Sequence, residues 1–529
     1  MENQENNLRK LYEKLSAKRD NFLDRAEECA ELTLPAIMPY DGFGSSNTLY
    51  TPFQSVGARG VNNLASKLLL LLLPPNAPFF RLSLSGKIRD ELEQQPELKS
   101  NVERSLSKIE REVMTFIEQS AIRVPTFSAL KHLIITGNVL VYLNKEGKMK
   151  IYALNQYCVD RDSDDNLTEI VIKESVSPLT LSDEVKTACA VTAKDEDVDI
   201  YTCIKRIDQN NFVGYQECNK VEIPGSYGKW KEDDLPYIPL RMIRVDSESY
   251  GRSYVEEFLG DLKSLEGLSK ALLESAAASS KVVFLVKPNA VTKKRDLVES
   301  SNGDIITGSK DDVATLQTEK QYDLQIVERS INTIAERLSY DFLLQSAVTR
   351  DAERVTAEEI RKLANELESA LGGIYSLLSQ ELQLPLVNLL MKKLSVKQRI
   401  PKLPKGSIQP TIITGVEALG RGNDLVKLRS FVSDIGSIAQ MNPEAVSLVN
   451  IMDLITRLAT SHGIDTEGLI KDQETLQAEK EQAQADQAGE AAVQQGMGPA
   501  IQGAIDGVKD GTVTPEQIQQ TVQNYQGDN

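Results

Sequence analysis

Residues 50–75 read YTPFQSVGARGVNNLASKLLLLLLPP, with six consecutive leucines from Leu68 to Leu73. Two readings compete for this run, a membrane segment and the buried end of a helix. A helix rises ~1.5 Å per residue, so six leucines span ~9 Å of a hydrocarbon core ~30 Å thick. Lys67 bounds the run on one side and Pro74-Pro75 on the other, so it cannot grow into a spanning segment. It is therefore the end of a helix packed into a core, and a polar residue at Leu70 is expected to block folding or assembly.

Upstream, NNLRKLYEKLSAKRDNFLDRAEECAELTL places Leu8, Leu11, Tyr12, Leu15, Phe22 and Ala26 at helical spacings, and Pro35 stops the pattern. Downstream, a helix is predicted from about Pro96 to Ser120, striped by Val102, Leu106, Ile109, Val113, Phe116 and Ile117. The period then shortens. VLVYLN, KIYAL, LTEIVIKES, DVDIYTCIKRI, NFVGYQECNKVEI and YIPLRMIRV are short, rich in β-branched and aromatic residues, and separated by turn formers. Asp208-Gln209-Asn210-Asn211 reads as a hairpin turn between two of them. Residues from about 133 to 246 thus form a mixed α/β region.

Helix returns from about Tyr254 to Ser280 and becomes small-sided at SAAASS, which allows close helix approach. An insert from about Val282 to Leu324 carries strand-like VVFLV, turns at Pro288-Asn289 and Asn302-Gly303, and the basic cluster Lys293-Lys294-Arg295. A second helix, about Leu324 to Ser346, closes it. The charged stretch TRDAERV follows. Thr356 and Glu359 then form a capping box opening a helix striped by Ile360, Leu363, Leu367, Leu371, Ile374, Leu378 and Leu382, which Pro385 kinks or breaks. RIPKLPKGSIQPT is a connector, about Gly415 to His462 a helical block, and the Gln/Ala/Glu/Asp/Gly-rich tail from Lys471 has little to bury. The class is α+β, mainly α.

Sixty Lys and Arg against 77 Asp and Glu give a formal charge of −17. This opposes tight nucleic-acid binding, which relies on basic residues neutralising phosphates. It fits either an acidic protein kept apart by repulsion or a surface that nucleic acid passes without sticking, and charge does not separate the two. The five cysteines contain no CxxC pair and fit reduced thiols, with no disulfide framework or zinc cluster. The two histidines, His132 and His462, lie in no motif. The polar N-terminus is unlike a signal peptide, so the protein is expected to be made and kept in a cytoplasm.

Catalytic signatures are missing. PGSYGKW has a Gly-Lys pair, but Trp230 follows it and the spacing of a phosphate loop is wrong. No HExxH, G-x-S-x-G or dinucleotide-binding glycine set is present, and Asp164-Asp165 and Asp233-Asp234 read as turn and surface residues. No cofactor, no metal site and no enzymatic activity are expected. Taken alone, Arg350, Arg354 and Lys362 read as a solvated basic group with ion pairs to Asp351, Glu353 and Glu358, and Lys293, Lys294 and Arg295 as a soluble turn.

The opening stretch resembles the N-terminal signature of head-to-tail connector (portal) proteins of short-tailed, autographivirus-type bacteriophages. GNVLVYL, YIPLRMIRVDSESYGRSYVEEFLGDLKSLE, ERVTAEEIRKLANELESALGGIYSLLSQELQLPLV and GVEALGRGNDL are similar to that family in the same order, so the likeness runs from about residue 8 to 470. The acidic insert near 176–197 and the tail resemble nothing comparable.

The resemblance implies a portal fold closing into a ring, of about twelve subunits, around a channel at one capsid vertex. It divides the chain into a wing (1–251), a stem helix (252–280), a clip (281–324), a second stem helix (325–346), a channel loop (347–356), a wing helix and connector (357–409), a crown (410–470) and a C-terminal tail (471–529) that is helical on assembly or disordered. It implies double-stranded DNA packaged and ejected through the channel, with Arg350, Arg354 and Lys362 facing DNA. Lys293, Lys294 and Arg295 would then face the terminase motor or tail. Further implied partners are a tail adaptor, the major capsid and scaffolding proteins and internal core proteins. The protein would be a virion component assembled in the host cytoplasm, without membrane insertion and without its own ATPase. A nucleic-acid-processing enzyme with an unrecognised site, or a virion scaffold without a channel, are the alternatives.

Overall fold

The computed structural model describes residues 7–40, 47–75, 79–84, 96–192, 196–279, 283–316, 321–344, 371, 373–397, 399–400, 408–412, 431–437 and 454–455. The chain divides into two compact units, 1–419 and 420–529. In the second, residues 431–437 are helical. The expected charged loop, the Thr356–Glu359 capping box, most of the helical block after Gly415 and the tail lie outside the described residues.

Helix α1 (Leu8–Glu31) begins at Asn7, whose side chain accepts from the backbone N–H of Arg9, and it buries Leu8, Tyr12, Leu15 and Ala26. Helix α2 (Val56–Leu72) carries the leucine run and stops as the chain reaches Pro74. Leu64, Leu68 and Leu72 are fully buried and Leu70 nearly so, as a core helix requires. Strand β1 (Phe80–Leu84) is followed by α3 (Pro96–Gln119), whose Leu106, Ile109, Val113, Phe116 and Ile117 form the predicted buried stripe. Among the described residues no helix is long and apolar enough to cross a membrane.

One helix escapes the sequence pattern. Helix α4 (Arg123–Thr136) buries Ala129, Leu130, Leu133, Ile134 and Ile135 over several faces, so it shows no amphipathic stripe. Pro125 lies in its first turn, where a missing backbone donor costs least.

Strands β2 (Asn138–Leu143) and β3 (Met149–Tyr152) pair antiparallel, with β10 (Tyr237–Arg241) on the far edge of β2. A larger antiparallel sheet runs in the order β4 (Tyr157–Arg161), β5 (Leu167–Val176), β6 (Val198–Asp208), β7 (Asn211–Cys218), β8 (Val221–Glu222), and β9 (Gly228–Lys231) also pairs with β7. The predicted hairpin is there: Asp208 faces Asn211 across Gln209-Asn210, and the Asp208 carboxylate accepts from the Asn210 N–H and the Asn211 amide. Leu8, Tyr12 and Leu15 of α1 pack on this sheet against Cys158, Val171, Tyr201 and Cys203.

After a helical turn, Tyr254–Glu257, helix α5 (Leu259–Ser279) leads to strand β11 (Val283–Val286). Strand β12 (Val313–Leu316) pairs antiparallel with β11 and leads into α6 (Gln321–Asp341). This helix begins slightly earlier than the sequence pattern suggests. The chain then has a helical turn, Gly373–Leu378, a π turn, Ser379–Gln383, and α7 (Leu384–Val396). Pro385 enters at the start of α7. The wider π turn before it relieves the clash of its ring with the carbonyl four residues back, so the expected kink or break takes the form of a local widening. Leu371, Leu378 and Leu382 of the predicted stripe are buried. Strand β13 (Ile408–Ile412) pairs with β1.

Candidate functional site

Helices α5 and α6 run antiparallel. Asp261 near the start of α5 pairs with Arg337 near the end of α6 at 3.1 Å, and the β11–β12 ribbon joins their other ends. At ~1.5 Å per residue each helix is ~30 Å long. Their Asp261–Arg337 ends are fixed to α2, and the fixing residues lie in the stretch that opened the sequence.

Glycines permit the approach. A Cβ on Gly57 would lie 2.6 Å from the Leu32 carbonyl oxygen and 3.3 Å from Leu262 of α5. A Cβ on Gly60 would lie 2.5 Å from the Phe342 ring just past α6. One and two turns further along the same face, Asn63 donates to the carbonyls of Phe342 and Leu343 at 3.0 and 2.9 Å, and the Lys67 ammonium donates to the Leu343 carbonyl at 2.7 Å. These carbonyls belong to a helix end, which lacks intrahelical donors and carries partial negative charge. A buried cation there serves both needs.

Glu266 of α5 holds the chain where it enters α2. Its carboxylate accepts from the Tyr50 hydroxyl at 2.6 Å and from the backbone N–H groups of Phe53 and Gln54 at 2.9 and 3.2 Å. That hydrogen bond pushes the Tyr50 hydroxyl up to about 12. Gln54 in turn donates to the Leu32 carbonyl at 2.6 Å. At the leucine end, the fully buried Gln383 of the π turn donates to the Leu72 carbonyl at 2.6 Å.

A buried ionic junction ties the same π turn to the sheets. Arg241 of β10 grips both oxygens of Asp165 at 2.7 and 2.8 Å and donates to Glu381 at 2.7 Å. Arg244 also reaches Asp165, at 3.2 Å. Burial pushes the Asp165 carboxyl up, but the Arg241 guanidinium outweighs it and holds the group below the ordinary carboxylate range. Asp165 is thus a turn residue with a structural partner, whereas Asp164 is exposed as expected. The Asn138 side-chain amide donates to the Gly251 carbonyl and accepts from the Gly251 N–H, both at 2.7 Å.

The structure brings Lys293, Lys294 and Arg295 together on an exposed surface of the insert. Lys293 precedes a short helix, Lys294–Glu299, in which Arg295 pairs with Glu299 at 2.8 Å. Asp312 fixes the preceding loop by accepting from the Val291 and Thr292 N–H groups and the Thr292 hydroxyl at 2.9, 3.1 and 3.1 Å. These bonds, the Thr292 N–H first, hold its carboxyl below the usual range. Val291 and Val298 are exposed close in sequence to the basic cluster, and Phe284 and Leu285 are exposed on β11. Exposed cations beside apolar side chains suit docking of another macromolecule. Arg350, Arg354 and Lys362 lie outside the described residues.

Among the described residues no cluster of three or more His, Cys, Asp or Glu is arranged to hold a metal, and all five cysteines are free and buried. Sequence reasoning missed the Gly57/Gly60/Asn63/Lys67 face, Glu266 and the Arg241 junction. Only the first left a local signal, its three- and four-residue spacing.

The family model for bacteriophage head-to-tail connecting proteins matches residues 5–470. The chain is 42% identical to the portal protein of Escherichia phage T7 over 510 residues, covering 93% of this chain and 94% of that one. It is 42% identical to the portal protein of Enterobacteria phage T3 over 483 residues, 90% of each. Against the portal protein of Enterobacteria phage SP6 the figures are 31% over 509 residues, 95% of this chain and 97% of that one.

Proposed function

The chain belongs to the head-to-tail connector (portal) protein family of autographivirus-type bacteriophages, whose members are structural virion components at the head–tail junction, and from that premise we propose that it closes into a DNA-conducting ring. About twelve copies surround the channel at one capsid vertex, each interface being the head-to-tail kind that closes on rotation.

One observation carries the ring reading. Leu273 of α5 and Tyr322, Ile326 and Tyr340 of α6 are exposed along the paired helices. Large apolar side chains exposed along both paired helices support a surface that another copy covers. Here neighbouring copies supply the cover. In this assignment α5 and α6 are the stem (252–280 and 325–346), the β11–β12 insert is the clip (281–324), and the elements up to 251 with 357–409 form the wing. Residues 347–356 make the channel loop, 410–470 the crown and 471–529 the tail.

Double-stranded DNA carries one charge per ~1.7 Å, so a uniformly basic tunnel would hold it at many points. A subunit of net charge −17 with few basic contacts instead repels and centres the duplex. Arg350, Arg354 and Lys362 provide those few contacts. Lys293, Lys294 and Arg295 meet the terminase during packaging and the tail adaptor afterwards. The motor's ATPase resides in the terminase, so the ring is a non-enzymatic conduit, assembled in the host cytoplasm with capsid, scaffolding and internal core proteins.

Electron microscopy of the purified protein, with native mass measurement on the same sample, tests this. Closed rings of about a dozen subunits with a hole admitting a ~20 Å duplex are expected; compact monomers or dimers without a hole would overturn it. Charge reversal at Arg350 and Arg354 is expected to leave rings intact and reduce packaged DNA.

A further inference from the structure

Cys189 and Cys218 sit in an apolar cluster separate from the main core, with Val191, Ile200 and Ile223. Cys218 ends β7, while Cys189 follows the short helix Asp183–Ala188 in the acidic insert. Both side chains are buried in this one cluster. The Asn219 amide donates to the Cys189 carbonyl at 3.2 Å, fixing the two backbones side by side.

No other pair of described cysteines is so placed. Cys158 and Cys203 both face Val171, from opposite sides, so they stand two strands apart. At ~4.8 Å per strand that is ~9–10 Å, beyond the ~7 Å reach of a disulfide. Cys29 lies on α1 beside Ser253.

We propose that Cys189 and Cys218 are a reversible dithiol–disulfide pair that fastens the acidic insert to β7 when the protein meets a disulfide oxidant of the glutathione type. One thiolate attacks oxidised glutathione, forming a mixed disulfide and expelling one glutathione thiolate. The second thiolate attacks the protein sulfur of that mixed disulfide, closing the intramolecular bond and expelling the other. The protein loses two thiol protons and two electrons, and one oxidised glutathione becomes two reduced molecules. Burial pushes the Cys218 thiol up to about 11, so reaction at neutral pH waits on local opening. A segment held by one six-residue helix and a small cluster is suited to such opening. The pair stays reduced in a reducing cytoplasm and closes outside it.

The test is incubation of the full-length protein with oxidised glutathione, alkylation of remaining thiols and peptide mapping without reductant. The expected product links Cys189 to Cys218, with Cys29, Cys158 and Cys203 recovered alkylated. Trypsin cleavage after Lys186 is expected to slow about tenfold in the oxidised form. Cys218→Ala is expected to leave a single glutathione adduct on Cys189 and unchanged cleavage. Adducts on Cys189 and Cys218 that never close, links drawn from the other cysteines, or unchanged cleavage in the closed form would overturn the proposal.

Discussion

The Lys67 ammonium lies 2.7 Å from the carbonyl oxygen of Leu343, a non-glycine residue held at φ +54°. The left-handed conformation at Leu343 ends the helical run after α6, and the cation on α2 seals the carbonyl it exposes. Lys67→Met keeps much of the side chain's apolar volume and leaves a buried acceptor short of its charged donor. A loss of about 2–3 kcal/mol is expected, read from chemical denaturation. Amide exchange should quicken across residues 338–344 and stay unchanged in β5–β7.

Gly60→Ala separates helix propensity from packing. In an open helix the change gains about 1 kcal/mol. Here the new Cβ meets the Phe342 ring at 2.5 Å, so a net loss of about 1–3 kcal/mol is expected in the denaturation midpoint. Gly60→Ala with Phe342→Leu should recover part of it. A stabilised single variant would show that α2 and Phe342 do not touch.

Arg241→Met leaves Glu381 without its cation and Asp165 with only Arg244, in a mostly buried site. Removing one partner of such a junction costs about 3–5 kcal/mol, and the two carboxylates' partial exposure sets the lower end. Adding Asp165→Asn and Glu381→Gln should restore a good part. Thermal melting of the single and triple variants checks this.

Burial lowers His132 to about 4, so the folded state holds a neutral ring. The unfolded chain takes up the proton near its ordinary value of about 6.5. The His132 contribution is therefore complete above that pH and is lost as pH falls toward 4, by up to about 3 kcal/mol. Carboxylates titrate in the same window, so the measurement is the difference in unfolding free energy between the wild type and His132→Leu. That difference should be flat above pH 7 and decline steadily toward pH 4.

Local periodicity made much of the architecture legible. The leucine helix, the α3 stripe and the Asp208–Asn211 hairpin each declare themselves within a dozen residues or so. Helix α4 does not, because it is apolar on several faces and has Pro125 in its first turn. Strands β4 and β9 are short, and β9 is hidden in a Gly-Lys pair read mainly for its likeness to a phosphate loop. The site is harder still. Asn63 meets Leu343 some 280 residues later in the chain, and Arg241 meets Glu381 at a separation of 140. Gly60 has no evident purpose until Phe342 arrives beside it. The resemblance pointed to the family, whereas the partnerships between its motifs, such as Asn138 with Gly251 and Glu266 with Gln54, exist only in the folded chain.

Because Glu266 holds the chain that enters α2 and Leu262 packs by its first turn while Phe342 and Leu343 meet its middle, the two long helices share one rod at their base. Sliding α6 by a single helical turn, ~5.4 Å, would break both the Asn63 and Lys67 bonds unless α2 travelled with it. The rod's far end is pinned in turn by Gln383. Load on the pair therefore reaches the leucine core through α2, with a second path from α5 into α1 through the Lys263–Glu28 ion pair.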